Sequence, residues 1–518
     1  MPSLIRQFDA FFAALALALM LLIPLAEIVL RPLFGSGVDN APVLVQHLGL
    51  WLAMAGALVA ERGGHLTSLG GGLATLLDAR WQRSIEMFWR YSAAVVCGML
   101  AQASWTFVAS EMAAPQPIAY GIEGWWFQLA MPAGFLLLAA KLAFRLSLRG
   151  FWSLLPALIL PLAGWGFAGL LDGETLPLWP FAIGLLVMLL CGAPIFAVLG
   201  GLALALFWSE GQPLASVPLS HYQITVNPSL PALPLFTLAG LIFARTGAAA
   251  RLGAVFTALF GQGATGTAVA GALLCSCFTA LTGGSGVTIL ALGGLLLPLL
   301  TRAGFPERQG IGLVTSASAL GVLLAPSVPL IMFAIIARVP INTMFLAGIL
   351  PALVMVGFLL SVGGFLKNAT FTVDLPKTAN SIPLATAARQ AIWEILAPVV
   401  AIGSLVSGVA TPTESAALTA AYAILTQAFA HRELDARALA RILVDCAQVI
   451  GGIMLILGMA LGLTNFLIDA GIPDAAIEWA QSVLPNRWAF LIALNVFLLI
   501  AGALMEIYAA IVVLVPLL

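Results

Sequence analysis

Apolar runs long enough to cross a membrane recur along the chain, separated by short polar segments. The first four lie near residues 10–30, 42–60, 87–108 and 124–147. Because a membrane-spanning helix needs about 20 predominantly apolar residues, each run predicts one span. The first run is longer than the core of a signal peptide and has no small-residue cleavage site after it. We therefore predict that it is retained as the first span.

The cations between these runs predict the orientation of the chain. With the N-terminus in the cytoplasm, the outer segments carry only Arg31. The inner segments then carry eight cations, namely Arg6, Arg62, Arg80, Arg83, Arg90, Lys141, Arg145 and Arg149. Cytoplasmic loops are enriched in Lys and Arg, so this orientation is favoured. A fifth apolar run at 151–170 should cross outward and leave residues 171–178 outside.

That fifth run divides the chain into two helical regions. Residues 1–150 are predicted to form a four-helix region, and 151–178 a linker helix with an outer loop. Residues 179–518 form a longer region, which begins with an apolar stretch from Trp179 to Trp208. The predicted fold class is an all-α polytopic membrane protein, placed in the bilayer by its own apolar helices.

Composition supports a membrane protein and excludes several classes of function. Of 518 residues, 62% are hydrophobic and 8% are charged, with a mean hydropathy of +1.08. About a quarter of the residues are charged in a typical soluble domain. The net charge of −1 gives no basic excess to bind nucleic acid. The sequence contains no P-loop, no H-E-x-x-H motif and no plausible nucleophile elbow, which argues against an ATP-driven pump and an enzyme.

Three apolar segments of the longer region are interrupted by glycine, proline and hydroxyl residues. The breaks are TGGSGV at 282–287, GVLLAPSVP at 321–329 and GVATPTE at 408–414. Helix-breaking residues are tolerated in hydrocarbon where the freed backbone groups face protein or a watery cavity. Three such breaks indicate a binding site, although kinks and close packing of small residues are an alternative interpretation.

Prolines in these breaks predict free carbonyl groups, because proline cannot donate a hydrogen bond to the carbonyl four residues earlier. If the preceding segments are helical, Pro326 frees the carbonyl of Val322 and Pro412 frees that of Gly408. Such carbonyls suit a small hard cation such as Na⁺, and secondary transporters use broken helices in this way. Intramembrane acids also suggest function, although they can instead lie at the interface; the two candidates are Glu414 and Glu506.

The segments at these breaks resemble landmarks of one transporter family. TGGSGVTILALGGLLLP (282–298) resembles the first re-entrant hairpin of the large membrane subunit of tripartite ATP-independent periplasmic (TRAP) transporters. Further landmarks match in the same order, at LGVLLAPSVPLIMFA (320–334), MFLAGILPAL (344–353) and SGVATPTESAA (407–417). Residues 1–150 resemble the small membrane subunit through ERGGHL (61–66) and PAGFLLLAAKL (132–142), and 151–170 resembles the linker of fused versions.

The resemblance implies a Na⁺-coupled, elevator-type importer in the bacterial inner membrane, with scaffold helices and a transport domain built from re-entrant hairpins and broken helices. It implies that a periplasmic substrate-binding protein delivers an organic acid, such as sialic acid or a C4-dicarboxylate. The alternative is a channel-like permease, or another ion-coupled transporter that needs no binding protein. The Na⁺ ligands implied by the resemblance are Ser285, Gly321, Leu324 and Pro326 at one site and Gly408 and Thr411 at another. The implied substrate contacts are Thr282, Gly284, Ser285 and Ser327.

The sequence departs from the family pattern at three places. The family often has S-G-S-G where this chain has Gly283-Gly284-Ser285-Gly286, and Ala325 stands where a proline is expected before Pro326. The final segment, MEIYAAIVVLVPLL, resembles the start of a second hairpin. Because the family continues beyond this point, the C-terminal part of the transport region is expected to be missing.

Overall fold

The computed structural model describes residues 3–68, 79–144, 154–261, 263–366, 383–484, 486–504 and 507–515. Within these ranges, eight helices are long and apolar enough to cross a membrane, or up to eleven spans if each sharply bent helix pair counts as one. The predicted all-α polytopic fold is confirmed. Arg145, Arg149 and Glu506, which entered the predictions, lie outside the described residues.

The helices gather into two compact units. The first comprises the chain up to Leu19, Val38–Pro228 and the chain from Ala447 onward. The second comprises Met20–Gly37 and Ser229–Cys446. Each unit therefore draws on more than one stretch of the sequence, and the first combines segments from both sides of the linker at 151–178.

The first unit consists of helices connected mostly by short turns. Its helices are α1 (Ser3–Phe34, in part), α2 (Ala41–Gly63), α3 (Ala79–Ala113), α4 (Gly124–Gln128), α5 (Ala130–Phe144), α6 (Leu154–Leu171), α7 (Leu178–Leu190), α8 (Ile195–Ser209), α9 (Ser216–Thr225), α20 (Ala436–Asp469, in part), α21 (Ile472–Val483), α22 (Arg487–Leu504) and α23 (Ile507–Leu514).

The apolar stretch from Trp179 to Trp208 is two helices, α7 and α8, rather than one. Gly192 between them has a φ of +89°, a conformation that side chains disfavour, and Pro194 then starts α8. The Ile195 amide donates to the Thr67 carbonyl at 2.9 Å, so this turn lies beside the end of α2. The connection at 172–177 therefore lies at the other end of α7, away from the α2 terminus that carries Arg62. Which side of the membrane it faces stays a prediction.

Helices of the first unit approach closely where glycines face each other. A Cβ on Gly98 of α3 would lie 3.0 Å from the Pro161 carbonyl carbon of α6, and one on Gly164 of α6 would lie 3.1 Å from the Gly98 Cα. A Cβ on Gly56 of α2 would likewise lie 3.0 Å from the Cα of Gly451 in α20. Because backbone lies against backbone at both crossings, no side chain can be accommodated at these glycine positions.

Three of the cations that predict the orientation form ion pairs inside the first unit. Arg90 contacts Glu61 at 3.2 Å, and both side chains are buried. Arg62 lies 3.6 Å from Asp9, and Lys141 contacts the same carboxylate. Buried charges are costly unless paired, so these contacts remove the cost of placing the acids within the helix bundle.

A small β-hairpin forms in the connection between α3 and α4. Strands β1 (Pro117–Ala119) and β2 (Ile122–Glu123) pair antiparallel around Tyr120 and Gly121, which both have positive φ. Positive φ at both central residues is the geometry of a type I′ turn. The Asp39 amide donates to the Tyr120 hydroxyl at 3.0 Å, which ties the hairpin to the start of α2. The apolar pattern did not predict this hairpin.

The second unit contains the three sequence breaks and several sharp bends. Its elements are α10 (Ala232–Ala244), α11 (Ala248–Phe260), α12 (Ala264–Thr282), α13 (Ser285–Arg302), α14 (Glu307–Leu320), a 3₁₀ turn (Gly321–Leu323), α15 (Val328–Ile336), α16 (Ile341–Val362), α17 (Leu384–Gln390), α18 (Ile392–Val406), α19 (Pro412–Leu425) and a π-helical turn (Thr426–Ala430). The chain bends by 74° between α10 and α11, by 41° between α14 and α15 and by 62° between α17 and α18.

Candidate functional site

The first break forms the tip of a helical hairpin. Helix α12 ends at Thr282. The next residue, Gly283, has a φ of +72° and donates its amide to the Thr279 carbonyl at 2.8 Å. Glycine adopts this left-handed conformation without steric cost, which explains why the sequence ends a helix here. Gly284 is extended and half-buried, and α13 begins at Ser285. Two residues thus separate two helices of 19 and 18 residues.

Three threonine hydroxyls form a buried cluster directly beneath this tip. The Thr279 and Thr288 hydroxyl oxygens are 2.7 Å apart, and the Thr282 and Thr288 oxygens are 3.1 Å apart. The Gly284 carbonyl lies 3.4 Å from the hydroxyls of both Thr282 and Thr288. All three side chains are at most 2% exposed. Each hydroxyl has one proton and two lone pairs, so the cluster concentrates acceptor oxygens inside the hairpin.

Thr282 was among the site residues predicted from the sequence, whereas Thr279 and Thr288 were not. Thr279 and Thr282 are three residues apart, a spacing that places both on one face of a helix. Thr288 lies on the other arm of the hairpin, and only the fold brings it to the same point. The i, i+3 spacing of two threonines before a glycine pair was the available signal.

The second break packs against the end of the same hairpin arm. A Cβ on Gly321 would lie 2.6 Å from the Thr279 Cβ, so glycine is required for this approach. The Ser276 hydroxyl also donates to the Ala317 carbonyl at 3.1 Å. The structure thus brings Gly321 beside the threonine cluster, although the two segments are some 40 residues apart in the chain.

The prediction that the Val322 carbonyl is free is wrong. Pro326 does leave this carbonyl without a helical partner, but the Ser327 hydroxyl donates to it. Ser327 is fully buried and also accepts from the Leu330 amide at 3.4 Å, as the N-cap of α15. The carbonyls of Gly321 and Leu324 each accept one backbone amide and keep a second lone pair. Ser327 therefore forms hydrogen bonds with the backbone of the break. The carbonyl oxygens of Gly321 and Leu324 each have one lone pair that could bind a cation.

The third break has a different geometry from the predicted one. Helix α18 ends at Val406, and Gly408 has a φ of +70°, so it lies outside the helix and Pro412 does not remove a helical partner from it. Thr411 caps α19, and its partner is Glu414. The Thr411 amide donates to the Glu414 carboxylate at 2.7 Å, and the Glu414 amide donates to the Thr411 hydroxyl at 3.3 Å. This capping box gives Glu414 a structural role.

Helix α13 differs from α15 and α19 in how it begins. Ser327 caps α15 and Thr411 caps α19, whereas Gly284 gives α13 no side-chain cap. Ser285 is half-buried, and Gly286 is exposed with open space where a Cβ would stand. The first amides of a helix have no partner within the helix and favour anions. Among the described breaks, this helix start is therefore suited to an anionic group.

Comparison with known proteins gives the family. Residues 182–518 match the family described as tripartite ATP-independent periplasmic transporter, DctM component, and residues 20–149 match the DctQ component of the same transporters. The chain belongs to the TRAP transporter family. It combines both membrane components in one polypeptide, as the sequence resemblance implied. It is accordingly a transporter permease, not an enzyme, and a multi-pass protein of the bacterial inner membrane.

Several relatives within the TRAP family are named for their substrates. The large permease protein DctM of a C4-dicarboxylate TRAP transporter from Rhodobacter capsulatus is 31% identical over 349 residues, which cover 64% of this chain and 79% of that protein. The isethionate TRAP permease DctMQ from Oleidesulfovibrio alaskensis is 29% identical, over 64% of this chain and 52% of that protein. The 2,3-diketo-L-gulonate permease YiaN from Escherichia coli is 26% identical, over 65% of this chain and 77% of that protein.

Proposed function

We propose that this TRAP permease imports an organic acid together with Na⁺, and that a periplasmic substrate-binding protein delivers the acid. The three relatives above act on a dicarboxylate, a sulfonate and a keto-sugar acid, all of which are anions at neutral pH. The proposal rests chiefly on one observation, the buried threonine cluster beside an uncapped helix start at the α12–α13 tip. Oxygens for a cation and amides for an anion lie within one hairpin.

The proposed Na⁺ site draws its ligands from the hairpin tip and the second break. Na⁺ is a small, hard cation and prefers oxygen ligands, like other hard ions. The candidates at the first site are Ser285 and the carbonyls of Gly321, Leu324 and Pro326, to which the structure adds Thr279 and Thr288. A second proposed site uses Gly408 and Thr411 at the start of α19.

The threonine cluster gives a prediction for Na⁺ binding. In choline chloride of matched ionic strength, replacing choline with Na⁺ should raise the unfolding temperature of the purified protein. Ligand at 100 times its dissociation constant adds about 2.7 kcal/mol to stability. Thr288→Val removes the hydroxyl shared by Thr279 and Thr282, so it should abolish most of this increase. The measurement is thermal unfolding by tryptophan fluorescence in detergent.

The matched control for this experiment is Thr267→Val. Thr267 is buried near the start of α12, the helix that also carries Thr279 and Thr282, and lies away from the hairpin tip, so this variant should keep the Na⁺-dependent increase. An equal increase in wild type and Thr288→Val would show that the cluster does not contribute to a Na⁺ site.

The proposed anion site gives a separate prediction for transport. Gly286→Leu places a side chain over the first amides of α13, in space that is empty of protein atoms. Folding should be preserved, whereas uptake into proteoliposomes should fall at least tenfold, since the substrate loses its position. Gly294→Leu is the matched control, because Gly294 is also exposed on α13 with open space around it. Normal uptake by Gly286→Leu would remove this helix start from the substrate path.

We also propose that the second unit carries the substrate and that the first is its static scaffold, in an elevator mechanism. The hairpin tip and all three breaks belong to the second unit, which supports this assignment. The segments predicted to lie outside hold Arg31 against Asp39, Glu111, Glu123, Asp172 and Glu174. This acidic balance would attract a binding protein with a basic docking face, with association weakening as salt rises. Saturable uptake that requires both a Na⁺ gradient and a binding protein would separate this function from a channel-like permease.

A further inference from the structure

A buried ion cluster lies in the second unit, formed by residues that the transport proposal does not use. Its members come from α11, α18, the π-helical turn and the loop that follows the turn. Arg251 lies at its centre. The Arg251 Nε donates to the Glu394 Oε1 at 2.9 Å, and its Nη1 donates to the Glu433 Oε1 at 2.7 Å. The Gln427 amide nitrogen also donates to the Glu394 Oε1, at 3.0 Å.

The two carboxylates of the cluster differ in burial and in bonding. Glu433 is exposed at the rim, and its hydrogen bonds to Arg251 hold the pKa of that carboxyl below its usual range. The side chain of Glu394 is 1% exposed. Its Oε1 accepts bonds from Arg251 and Gln427, whereas its Oε2 is fully buried and has no hydrogen-bond partner. A buried carboxylate oxygen without a donor is costly, so this carboxylate is under-compensated.

His431 lies against this under-compensated carboxylate. The His431 Nε2 is 3.3 Å from the Glu394 Oε1, is itself buried and has no hydrogen-bond partner. A protonated ring nitrogen at this distance would form an ion pair with the carboxylate. The charged groups around the ring are Arg251 from α11, Glu394 from α18 and Glu433 from its own loop. The Tyr422 hydroxyl on α19 is a further titratable group nearby, and it donates to the Trp393 carbonyl.

The charge balance of the cluster favours one additional proton. One guanidinium faces two carboxylates, so the cluster carries a net charge of −1 while His431 is neutral. A protonated His431 brings the balance to zero and forms an ion pair at the position where compensation is lacking. Histidine is the side chain that ordinarily changes charge between pH 5 and 8. In the described part of the chain, no group of three or more His, Cys, Asp or Glu side chains is placed to hold a metal ion.

We propose that Glu394 and His431 form a proton-binding site within the second unit. The proton joins the loop that carries His431 to α18, which carries Glu394, while Arg251 and Gln427 donate to Glu394 with or without it. The π-helical turn supports the site, since the extra residue of a π turn re-aims the side chains that follow and such turns are frequent at functional positions. The adjacent loop and the start of α20 carry Arg432, Arg437 and Arg441, which places the site on the cytoplasmic side by the positive-inside rule.

The consequence is a response of the permease to cytoplasmic pH. The proton adds the His431–Glu394 ion pair, so its stabilisation is present at pH 5 and is lost as pH rises to 8. Helix α11 begins after the 74° bend and α18 begins after the 62° bend, and Arg251 joins them through Glu394. The proton fastens the loop that carries His431 to these two segments. Protonation should therefore stiffen this end of the second unit.

The test uses the full chain in lipid nanodiscs between pH 5 and 8. The chain has four histidines, so ¹⁵N-histidine NMR can follow each ring separately. The His431 signal, assigned by its loss in His431→Asn, should titrate within this range. Glu394→Gln removes the carboxylate of the proposed ion pair, so its unfolding temperature, like that of His431→Asn, should depend on pH less than that of wild type. The unfolding temperature should fall by several degrees from pH 5 to pH 8 in wild type and change much less in His431→Asn.

His65→Asn is the matched control. His65 is exposed at the end of α2 in the first unit, so this variant should keep the pH dependence of wild type. A His431 ring that stays in one protonation state from pH 5 to 8 would overturn the proposal. So would a pH dependence that is the same in wild type and His431→Asn. The NMR titration of wild type decides the question even where the variants fold poorly.

Discussion

Replacing Arg251 with methionine should destabilise the second unit more than any other single change to a charged residue described above. Methionine keeps most of the aliphatic volume but removes the guanidinium, leaving Glu394 buried and without its cation. Removing one partner of a buried ion pair costs about 3–5 kcal/mol, because an uncompensated charge remains. The expected result is a large fall in unfolding temperature and a low yield of folded protein, measured by thermal unfolding and size-exclusion chromatography.

Two further variants make this prediction specific. Arg251→Met combined with Glu394→Gln removes the uncompensated charge, so it should recover much of the lost stability. Arg245→Met is the matched control, since Arg245 pairs with Asp445 at 2.8 Å but its side chain is 62% exposed. Exposed pairs contribute about 0–1 kcal/mol. Similar losses in Arg245→Met and Arg251→Met would contradict the interpretation that burial sets the cost.

Replacing Gly451 with alanine should also be strongly destabilising, against the usual effect of this substitution. Alanine in a helix interior is ordinarily more stable than glycine by about 1 kcal/mol. At Gly451, however, the added Cβ would lie 2.6 Å from the Gly56 Cα, where α20 crosses α2. Backbone cannot rotate away as a side chain can, so the two helices must separate. Overpacking of this kind costs about 1–3 kcal/mol or more.

The neighbouring glycine provides the control for this prediction. A Cβ on Gly452 would meet only the His65 carbonyl oxygen, at an ordinary 3.8 Å. Gly452→Ala should therefore leave the unfolding temperature unchanged or slightly raised. Opposite shifts at adjacent positions would identify the α2–α20 crossing as the cause, whereas a stable Gly451→Ala protein would show that these helices can move apart at little cost.

The sequence predicted the fold class and most helices because these depend on the length and position of apolar runs. The apolar pattern alone left the stretch from Trp179 to Trp208 undivided, whereas the structure has two helices there, separated at Gly192 and Pro194. It also missed the β-hairpin, since a three-residue and a two-residue strand leave too little alternation to recognise. Local turn chemistry decided both cases.

The positions of the three breaks were predictable, but the hydrogen bonds within them were not. Glycine, proline and hydroxyl residues in apolar segments mark the breaks, and all three breaks exist. Which oxygens remain free depends on hydrogen bonds made after folding. Ser327 satisfies the carbonyl that Pro326 frees, and Glu414 pairs with the Thr411 cap. The meeting of Thr279 with Thr288 requires the hairpin to close, so no pattern along the chain could reveal it.

The crossing of α6 over α3 makes the segment between the two family components a packed part of the first unit. A Cβ on Gly164 of α6, in the segment that links the two family components, would lie 2.2 Å from the Val95 carbonyl oxygen of α3, and one on Gly98 of α3 would lie 2.3 Å from the Pro161 carbonyl oxygen of α6. A linker that merely tethered two subunits would tolerate any apolar sequence. This one requires glycine at both positions, because a Cβ at either would meet the backbone of the other helix. A linker taken from another fused homologue should function only when it keeps a glycine at the position of Gly164.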